Sequence, residues 1–552
     1  MSKKLNVKKQ DNSLSRRSFI TGSAAIAAVA SSAVIGNSAE QVSYSAGKRQ
    51  RKKVAHRAPF ETFRDYITAM EDHGTVLRFD RVDQDAYEGT AIMYRLIDQY
   101  GMYEAPIVIF EEIKINGRWV KGPLVCNHQG HWDTEAITFG LDPVENNGEA
   151  TYRKALAHFE AMLKKTGGSY PQIPPVTIPR DRALCKEVVL QGDDIDLTRF
   201  AFIKGNPGDV GRYINTGSIF TSDPEMGVNI GTYRCQLKGP RKIAINSETK
   251  QTGWKMLMAA KKRGEKIARI SVIIGQEPVL WMVGSTRVAG RRGPKPVDEL
   301  AIAGGLRNKA LEVIKCETND LLVPAHSEMV IEGEVPLDKL EPEGPYHEMY
   351  GYMGQPKNEQ FYMNVTTVTH RKDPWLANNF TGFTPAYVRA PGTARSLMFM
   401  KMFNPFVVDL YTRNDATGFF FISIDKTEPG QAMKVGKAIA QRVPIAKVVI
   451  IVDKDIDVMK ASDIWLAMGT RWQPFSASHL IESSPTIALD PSSKDRSTSS
   501  KIVIDATRQL PEEGGPDIFP ELSRALLEQG APDAFARVDA KWGDVIIRQR
   551  RF

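Results

Sequence analysis

Between residues 185 and 335 the sequence breaks into short β-rich runs, at 187–190, 213–222, 227–237, 242–246, 268–274 and 328–335, with turn residues between them. Strands of this length at this spacing predict a compact β-barrel, interrupted by one helical stretch over 254–262. The flanks read differently. Upstream, Phe60, Phe63, Ile67 and Met70 lie at helical spacing and Gly74 stops the pattern before a strand over 75–79. A helix over 91–100, a buried strand over 106–110 and a helix over 151–165 follow, so 57–169 is expected to be an N-terminal α/β domain. Residues 170–180 hold four prolines and read as an extended linker. Downstream, a strand over 361–369 leads into a helix over 431–441, a strongly apolar strand over 446–452 and a helix over 461–469. Alternating strands and helices imply a parallel sheet. The expected architecture is α/β multidomain: 57–169, a barrel over 181–355, and a C-terminal α/β domain over 356–552.

Length agrees, since 552 residues at about 150 per domain suit three or four domains. Hydrophobic residues at 42% and charged residues at 25% exclude a disordered chain and a multi-span membrane protein. The formal charge of +8 invites a nucleic-acid reading, but its location argues against one. Six basic residues against Asp11 before residue 40 account for five of those charges, and the body is nearly neutral. No nucleic-acid partner is expected. Cys126, Cys185, Cys235 and Cys316 are widely spaced and form no CxxC pair, so buried free thiols are expected.

The basic front end has its own meaning. A polar, basic region precedes a short apolar run over 24–36, too short to span a membrane, which is the layout of a secretory signal. At the junction, Ser15-Arg16-Arg17-Ser18-Phe19-Ile20-Thr21 resembles the twin-arginine signal motif. Residues 1–39 are expected to be a twin-arginine-type signal peptide, cut after Ala33 or Ala39, followed by a basic linker over 40–56. The expectation is export by the twin-arginine machinery, to the periplasm or to a membrane-tethered position outside the cytoplasm. That route carries folded proteins, often with a cofactor already loaded.

Three segments carry chemistry. In Pro342-Glu343-Gly344-Pro345-Tyr346-His347-Glu348 two carboxylates lie five apart in a stretch that Gly344 and Pro345 keep from being helical. Folded together they would disfavour each other's ionisation, so that one stays protonated as a general acid; a surface loop is the plainer reading. In Asn229-Ile-Gly-Thr-Tyr-Arg234, Asn229, Gly231 and Tyr233 share one strand face and Arg234 takes the other. Arg234 beside the two glutamates would suit a substrate carboxylate, since its planar fork matches that geometry, although a structural ion pair is an equally simple fate. Asp298-Glu299 suits a helix N-terminus, and Asn229 and Glu299 supply hard oxygen donors for a divalent cation that also touches phosphate. His128 and His131 lack a third zinc ligand, and a satisfied loop histidine is expected. Asp453, Asp455 and Asp457 lack the later Gly and Glu of a calcium loop and are expected to cap the next helix.

Together and in this order, the segments Gly227–Arg234, Asp298–Arg307, Pro342–Glu348 and Ile504-Asp-Ala-Thr507 resemble the UbiD family of prenylated-FMN-dependent decarboxylases, over nearly all of the chain from Pro59. The resemblance implies a middle split β-barrel, like that of flavin reductases, that holds prenylated FMN, and a homo-oligomer. It implies that Arg234, Glu343 and Glu348 are catalytic. Asn229, Thr232, Tyr233, Arg234, Asn246 and Ser247 would contact the cofactor, and Asn229 and Glu299 would bind a divalent metal such as Mn2+, with K+ a further candidate. Losing CO2 from an aromatic (phenolic) or α,β-unsaturated acid leaves a carbanion, and the flavin supplies the electron sink that no side chain can. Arg234 would hold the carboxylate of the small-molecule acid, Glu348 would donate the proton that replaces CO2, and Glu343 would tune the network. A flavin prenyltransferase is the implied cofactor supplier.

The chain departs from the family at several points. Lys250 stands where a His metal ligand is common, with Gln251 or Glu248 as substitutes, and Gln509 stands where a Lys near the flavin is common. His347 occupies a position where small residues are frequent, which would suit a bond to a phenolic substrate or a solvent-facing loop. Phe383, Phe403, Phe406 and 419–421 offer aromatic walls that core packing explains as well. The departures keep a second reading open, an exported flavoprotein with a redox or non-catalytic binding role in the same fold.

Overall fold

Thr232 and Cys235 are three residues apart, yet they belong to opposite flanks of one sheet. A computed structural model describes residues 56–247, 251–286, 288 and 297–548; the expected signal peptide lies outside them. Among the described residues, strand Gly227–Thr232 pairs only with Ser218–Asp223 at one end of the sheet, and Cys235–Gly239 pairs with Tyr213–Ile214 and Lys242–Ile245 at the other. Two residues can bridge those flanks only if the sheet curls until its edges meet. The expected single strand over 227–237 is therefore two strands, and Tyr233-Arg234 is the crossing between them.

The rest of this nine-stranded half-barrel runs through Tyr362–His370, Met329–Pro336 and Ile267–Ile274, with Val188–Gln191 paired to Tyr362–His370. Tyr362–His370 thus sits in the middle of the sheet, so the expected barrel boundary at 355 falls short by one strand. Inward residues such as Ile219, Val272, Ile331 and Met363 are essentially fully buried. Truncating any of them would cost about 2–5 kcal/mol through lost burial and the cavity left behind.

The N-terminal domain is the expected α/β unit, with Val76–Asp83 parallel to Ile107–Ile115 and the latter antiparallel to Arg118–Cys126. Its fourth strand, Leu376–Asn378, returns from far down the chain and lies parallel to Arg118–Cys126. Phe110, Leu124 and Cys126 share one hydrophobic core with the half-barrel's Ile219, Cys235 and Ile243. All four cysteines are buried free thiols.

The proline-rich stretch 170–180 is extended but is no loose tether. Val176–Thr177 pairs with Glu312–Lys315, and the backbone at Pro171 and Ile173 packs on Gly304 and Gly305 of helix Glu299–Leu306 so closely that a Cβ at either glycine would strike a carbonyl oxygen. In the C-terminal domain Phe419–Ile424, Val448–Asp453 and Thr498–Ala506 are parallel as expected, while the edge strands Val407–Thr412 and Ser478–Pro485 are antiparallel, so the sheet is mixed. Among the described residues no helix is long and apolar enough to cross a membrane.

Candidate active site

The seam of the half-barrel places Arg234 against both glutamates of the 342–348 turn. Glu343 ends strand Glu341–Glu343, and Gly344 continues in the left-handed region (φ +84°) that only glycine adopts without strain. The chain then turns back, and the Glu348 side chain packs on Gly354, where a Cβ would approach Glu348 Cγ to 2.6 Å. Arg234 Nε and Nη2 donate to the two Glu343 oxygens at 2.8 and 2.9 Å, a bidentate pair, and Nη1 donates to Glu348 Oε1. All three are buried, at 8%, 1% and 6% exposure.

Such a cluster is expensive to desolvate and persists only when its hydrogen bonds are complete. Burial alone would lower the Arg234 pKa, but Glu343 and Glu348 more than reverse it and hold the guanidinium charged. Glu348 is pushed the other way. Burial raises its carboxyl above the ordinary range, and the single contact with Arg234 offsets only part of that. The pair is therefore asymmetric: Glu343 is locked to Arg234 by two bonds, and Glu348 is held by one.

Two tyrosines missing from the sequence-based expectation complete the cluster. The Arg234 guanidinium lies 4.8 Å from the centroid of the Tyr346 ring. The Tyr346 hydroxyl is held by Asn215 Nδ2 at 3.0 Å and Thr381 Oγ1 at 2.9 Å. Tyr213 packs its ring 4.4 Å from that of Tyr346 and donates to the Pro345 carbonyl at 3.4 Å. The alternation of Tyr346, His347 and Glu348 was the signal that could have found this platform, because residues two apart face the same way.

His347 is not the solvent-facing loop histidine of the second expectation, and its Nε2 is buried with no hydrogen-bond partner among the described residues. It is buried, and its Nδ1 lies 2.8–2.9 Å from both oxygens of Asp209, which also accepts the His347 backbone N–H. The ring thus points away from Arg234, toward the loop around Gly205. Phe403 is largely exposed and builds no wall, while Phe383 stacks on Tyr94 at 3.7 Å.

The expected cofactor residues line the same seam. Asn229, Gly231 and Tyr233 share a face, with the Tyr233 hydroxyl crowding the spaces beside Gly231 and Gly253. Thr232 Oγ1 lies 2.9 Å from Ser285 Oγ, and Asn246 donates its backbone N–H to the Arg234 carbonyl at 3.1 Å. Asn229 Nδ2 and Ser247 Oγ are buried with no hydrogen-bond partner among the described residues. An unpaired buried polar group costs about 1–3 kcal/mol, so a polar ligand that meets both fits this seam.

Glu299 sits at the start of helix Glu299–Leu306, capped by Asp298 as expected, and accepts the Ile230 N–H next to Asn229. Desolvation pushes its carboxyl up to about 8, and the Ile230 N–H offsets only part of that. A half-buried carboxyl and an amide oxygen suit a hard divalent ion, but the described residues hold no group of three His, Cys, Asp or Glu that could bind one. Two protein oxygens would leave the remaining positions to a phosphate and water. Glu248 and Lys250 lie outside the described residues, and Gln251 is the N-cap of helix Thr252–Lys262.

Other expectations resolve elsewhere. Gln509 is buried and donates to the Thr507 carbonyl, with Lys426 bonded to the Thr507 hydroxyl beside it. His128 is buried between Phe63 and Trp281 with Nδ1 unpartnered, so it is not the satisfied loop histidine expected, and burial lowers its pKa to about 3. Asp453, Asp455 and Asp457 mostly pair with Arg471, Arg508 and Arg153 rather than capping the helix Ala461–Thr470, whose N-cap carries no side-chain bond.

Two family models match this chain. The 3-octaprenyl-4-hydroxybenzoate carboxy-lyase Rift-related domain covers residues 176–383 and the C-terminal domain of the same carboxy-lyase covers 388–506. An uncharacterized protein of Archaeoglobus fulgidus is 27% identical over 497 residues, 88% of this chain and 98% of that one. The vanillic acid decarboxylase of Sedimentibacter hydroxybenzoicus in its open form superposes with a TM-score of 0.72 at 25% identity, over 88% of this chain and 99% of that one. The UbiD-class enzyme HmfF of Pelotomaculum thermopropionicum, in complex with FMN, gives 0.67 at 25% identity, over 84% and 98%.

Proposed function

The chain belongs to the UbiD family, whose two domain models together span more than half of it, and we propose that it catalyses the non-oxidative, reversible decarboxylation of an aromatic (phenolic) or α,β-unsaturated carboxylic acid with prenylated FMN. The observation that carries this reading is the buried Arg234 fastened between Glu343 and Glu348 at the seam that also holds the unpaired Asn229 and Ser247. When bound, prenylated FMN would supply the electron sink that decarboxylation requires. Asn229, Thr232, Tyr233, Arg234, Asn246 and Ser247 would hold it, with Asn229 and Glu299 sharing a divalent ion such as Mn2+ with its phosphate.

The chain's own residues do the rest. Arg234 presents Nη1, the nitrogen less committed to Glu343, to the substrate carboxylate. Glu343 keeps two bonds on the guanidinium and fixes its plane, and the Tyr346 ring fixes its depth. Glu348, protonated over a wider pH range than an ordinary carboxyl, delivers the proton to the carbon that loses CO2 and recovers it from solvent. In the reverse direction the same group removes the proton. Burial of the cluster keeps water from competing for the developing charge.

The test is a screen of phenolic and unsaturated acids run in D2O, with protein co-produced with a flavin prenyltransferase. The expected result is CO2 release with one deuterium at the vacated carbon. CO2 release without solvent hydrogen at that carbon would overturn the role given to Glu348, and no release from any acid by the loaded protein would overturn the decarboxylase reading.

We also propose export by the twin-arginine route. The twin-arginine pair gives a direct check: Arg16→Lys with Arg17→Lys should trap the protein in the cytoplasm, and unchanged extracytoplasmic recovery would refute it.

A further inference from the structure

The turn that carries Glu343 and Glu348 is held from two sides. Its own return holds one: Gly354 donates its N–H to the Tyr346 carbonyl at 2.8 Å, and Glu348 donates to the Tyr352 carbonyl at 2.9 Å. The loop 205–210 holds the other, and its grip centres on Asp209, a residue only 2% exposed. Asp209 Oδ1 accepts the His347 backbone N–H at 2.9 Å, and His347 Nδ1 donates to Oδ1 and Oδ2 at 2.9 and 2.8 Å. Val210, next in the chain, donates its N–H to the Pro345 carbonyl at 2.9 Å.

The loop is built for this grip. Asp209 Oδ2 also accepts the Asn206 N–H at 2.9 Å, and Asn206 in turn accepts the Gly208 N–H on its side chain and the Asp209 N–H on its carbonyl, so the carboxylate is oriented from within the loop. Gly205 leaves room for the imidazole, since a Cβ there would come within 2.7 Å of His347 Cε1. The loop is fastened to the N-terminal domain, where Thr90 Oγ1 donates to the Gly205 carbonyl at 2.8 Å and Gln84 Nε2 to the Lys204 carbonyl at 3.0 Å.

Glu348 needs that support. Among the described residues its carboxyl has one hydrogen bond, from Arg234 Nη1, whereas Glu343 has two. A side chain held by one bond keeps its place only if its main chain does, and the clasped His347 is the residue before it. We propose that Asp209 is a positioning residue: by holding the main chain and the ring of His347, it fixes where Glu348 presents its carboxyl. The inference rests on the reading that Glu348 delivers the proton. Misplacing a reacting group by about 1 Å costs about a hundredfold in rate, so the effect falls on kcat and leaves the hold of Arg234 on the acid alone.

The test follows Glu348 itself as well as activity. In Asp209→Ala kcat should fall about a hundredfold with KM within about a factor of two, and Asp209→Asn, which keeps an acceptor for the His347 N–H, should recover most of the loss. His347→Ala removes the ring and keeps the N–H, so its loss should be smaller, and adding it to Asp209→Ala should cost nothing more, because both act through one clasp. Crystal structures of the wild type and Asp209→Ala should show the Glu348 carboxyl displaced from Arg234 Nη1 by about 1 Å in the variant. A Glu348 carboxyl that stays in its wild-type place overturns the proposal, whatever the rate. Should Asp209→Ala fail to fold, His347→Ala carries the same comparison, with a smaller displacement expected and an unmoved carboxyl again overturning it. If the carboxyl moves in a protein that decarboxylates nothing, the role of Asp209 stands and the proposed reaction fails.

Discussion

The molecule buries two arginines against carboxylates and aromatic rings, and they are built to opposite ends. Arg389 lies within 4.6–5.5 Å of the ring centroids of Tyr103, Trp132, Tyr152 and Tyr411, so its charge is boxed in by aromatic faces. Its carboxylate, Glu135, is spent on backbone: it accepts the N–H groups of Arg389 and Ala390 at the start of helix Ala390–Phe403. One cation meets one anion, and the pair ties the N-terminal domain to the C-terminal one. Arg234 meets two carboxylates from one short turn, rests on a single ring, and borders the unpaired Asn229 and Ser247. Stoichiometry, rather than burial, distinguishes the two clusters: one carboxylate beside Arg389 and two beside Arg234.

The sharpest way to break this comparison is to neutralise one carboxylate in each cluster. Glu348→Gln should lower turnover about a hundred- to ten-thousandfold while the bound cofactor's spectrum and the melting temperature stay unchanged. Glu135→Gln should leave turnover per folded molecule intact and lower the melting temperature. Loss of the cofactor in Glu348→Gln would make Glu348 structural and erase the distinction. Next in size, Arg389→Ala should cost about 3–5 kcal/mol of stability in denaturant unfolding, since it leaves Glu135 buried and unpaired. Full stability in that variant would show that the aromatic box does not depend on its cation.

A subtler pair of changes concerns the platform. Tyr346→Leu removes the ring under Arg234 and should lower kcat about tenfold at unchanged fold, from a cation–π contact of about 1–2 kcal/mol. Tyr346→Phe keeps the ring and loses only the bonds with Asn215 and Thr381, so kcat should fall less and melting temperature should carry most of the effect. Equal losses in the two would place the contribution in the hydroxyl network.

The smallest effect is on pH. Because burial raises the Glu348 carboxyl, its protonated form is full below the ordinary carboxylate range and is lost only as pH rises through the raised value. The kcat/KM profile should therefore hold above the pH at which a free carboxyl would have ionised and fall on the alkaline side. A fall centred in the ordinary carboxylate range would contradict the asymmetry between Glu343 and Glu348.

The contrast also explains what could be read from the chain. Arg234, Glu343 and Glu348 were named from the resemblance of two short segments to the UbiD family, since each segment alone also suits a surface loop or a structural ion pair, and the structure brings the three side chains together. The Arg389–Glu135 cluster was not legible, since its carboxylate bonds a backbone 254 residues away and its rings come from four distant segments. The same limit hid Asp209, which claims His347 from another loop. The barrel boundary near 355 failed for a related reason. Composition changes after Tyr352, but Tyr362–His370 fills the middle of the sheet because it pairs with strands on both sides.

The central claim is that the seam around Arg234 holds prenylated FMN, and the mass of the extracted cofactor tests it most directly. The protein should be produced with a flavin prenyltransferase, purified, denatured and its supernatant weighed. Prenylated FMN at one per chain is the predicted result. Plain FMN under those conditions, or no flavin at all, would contradict the account.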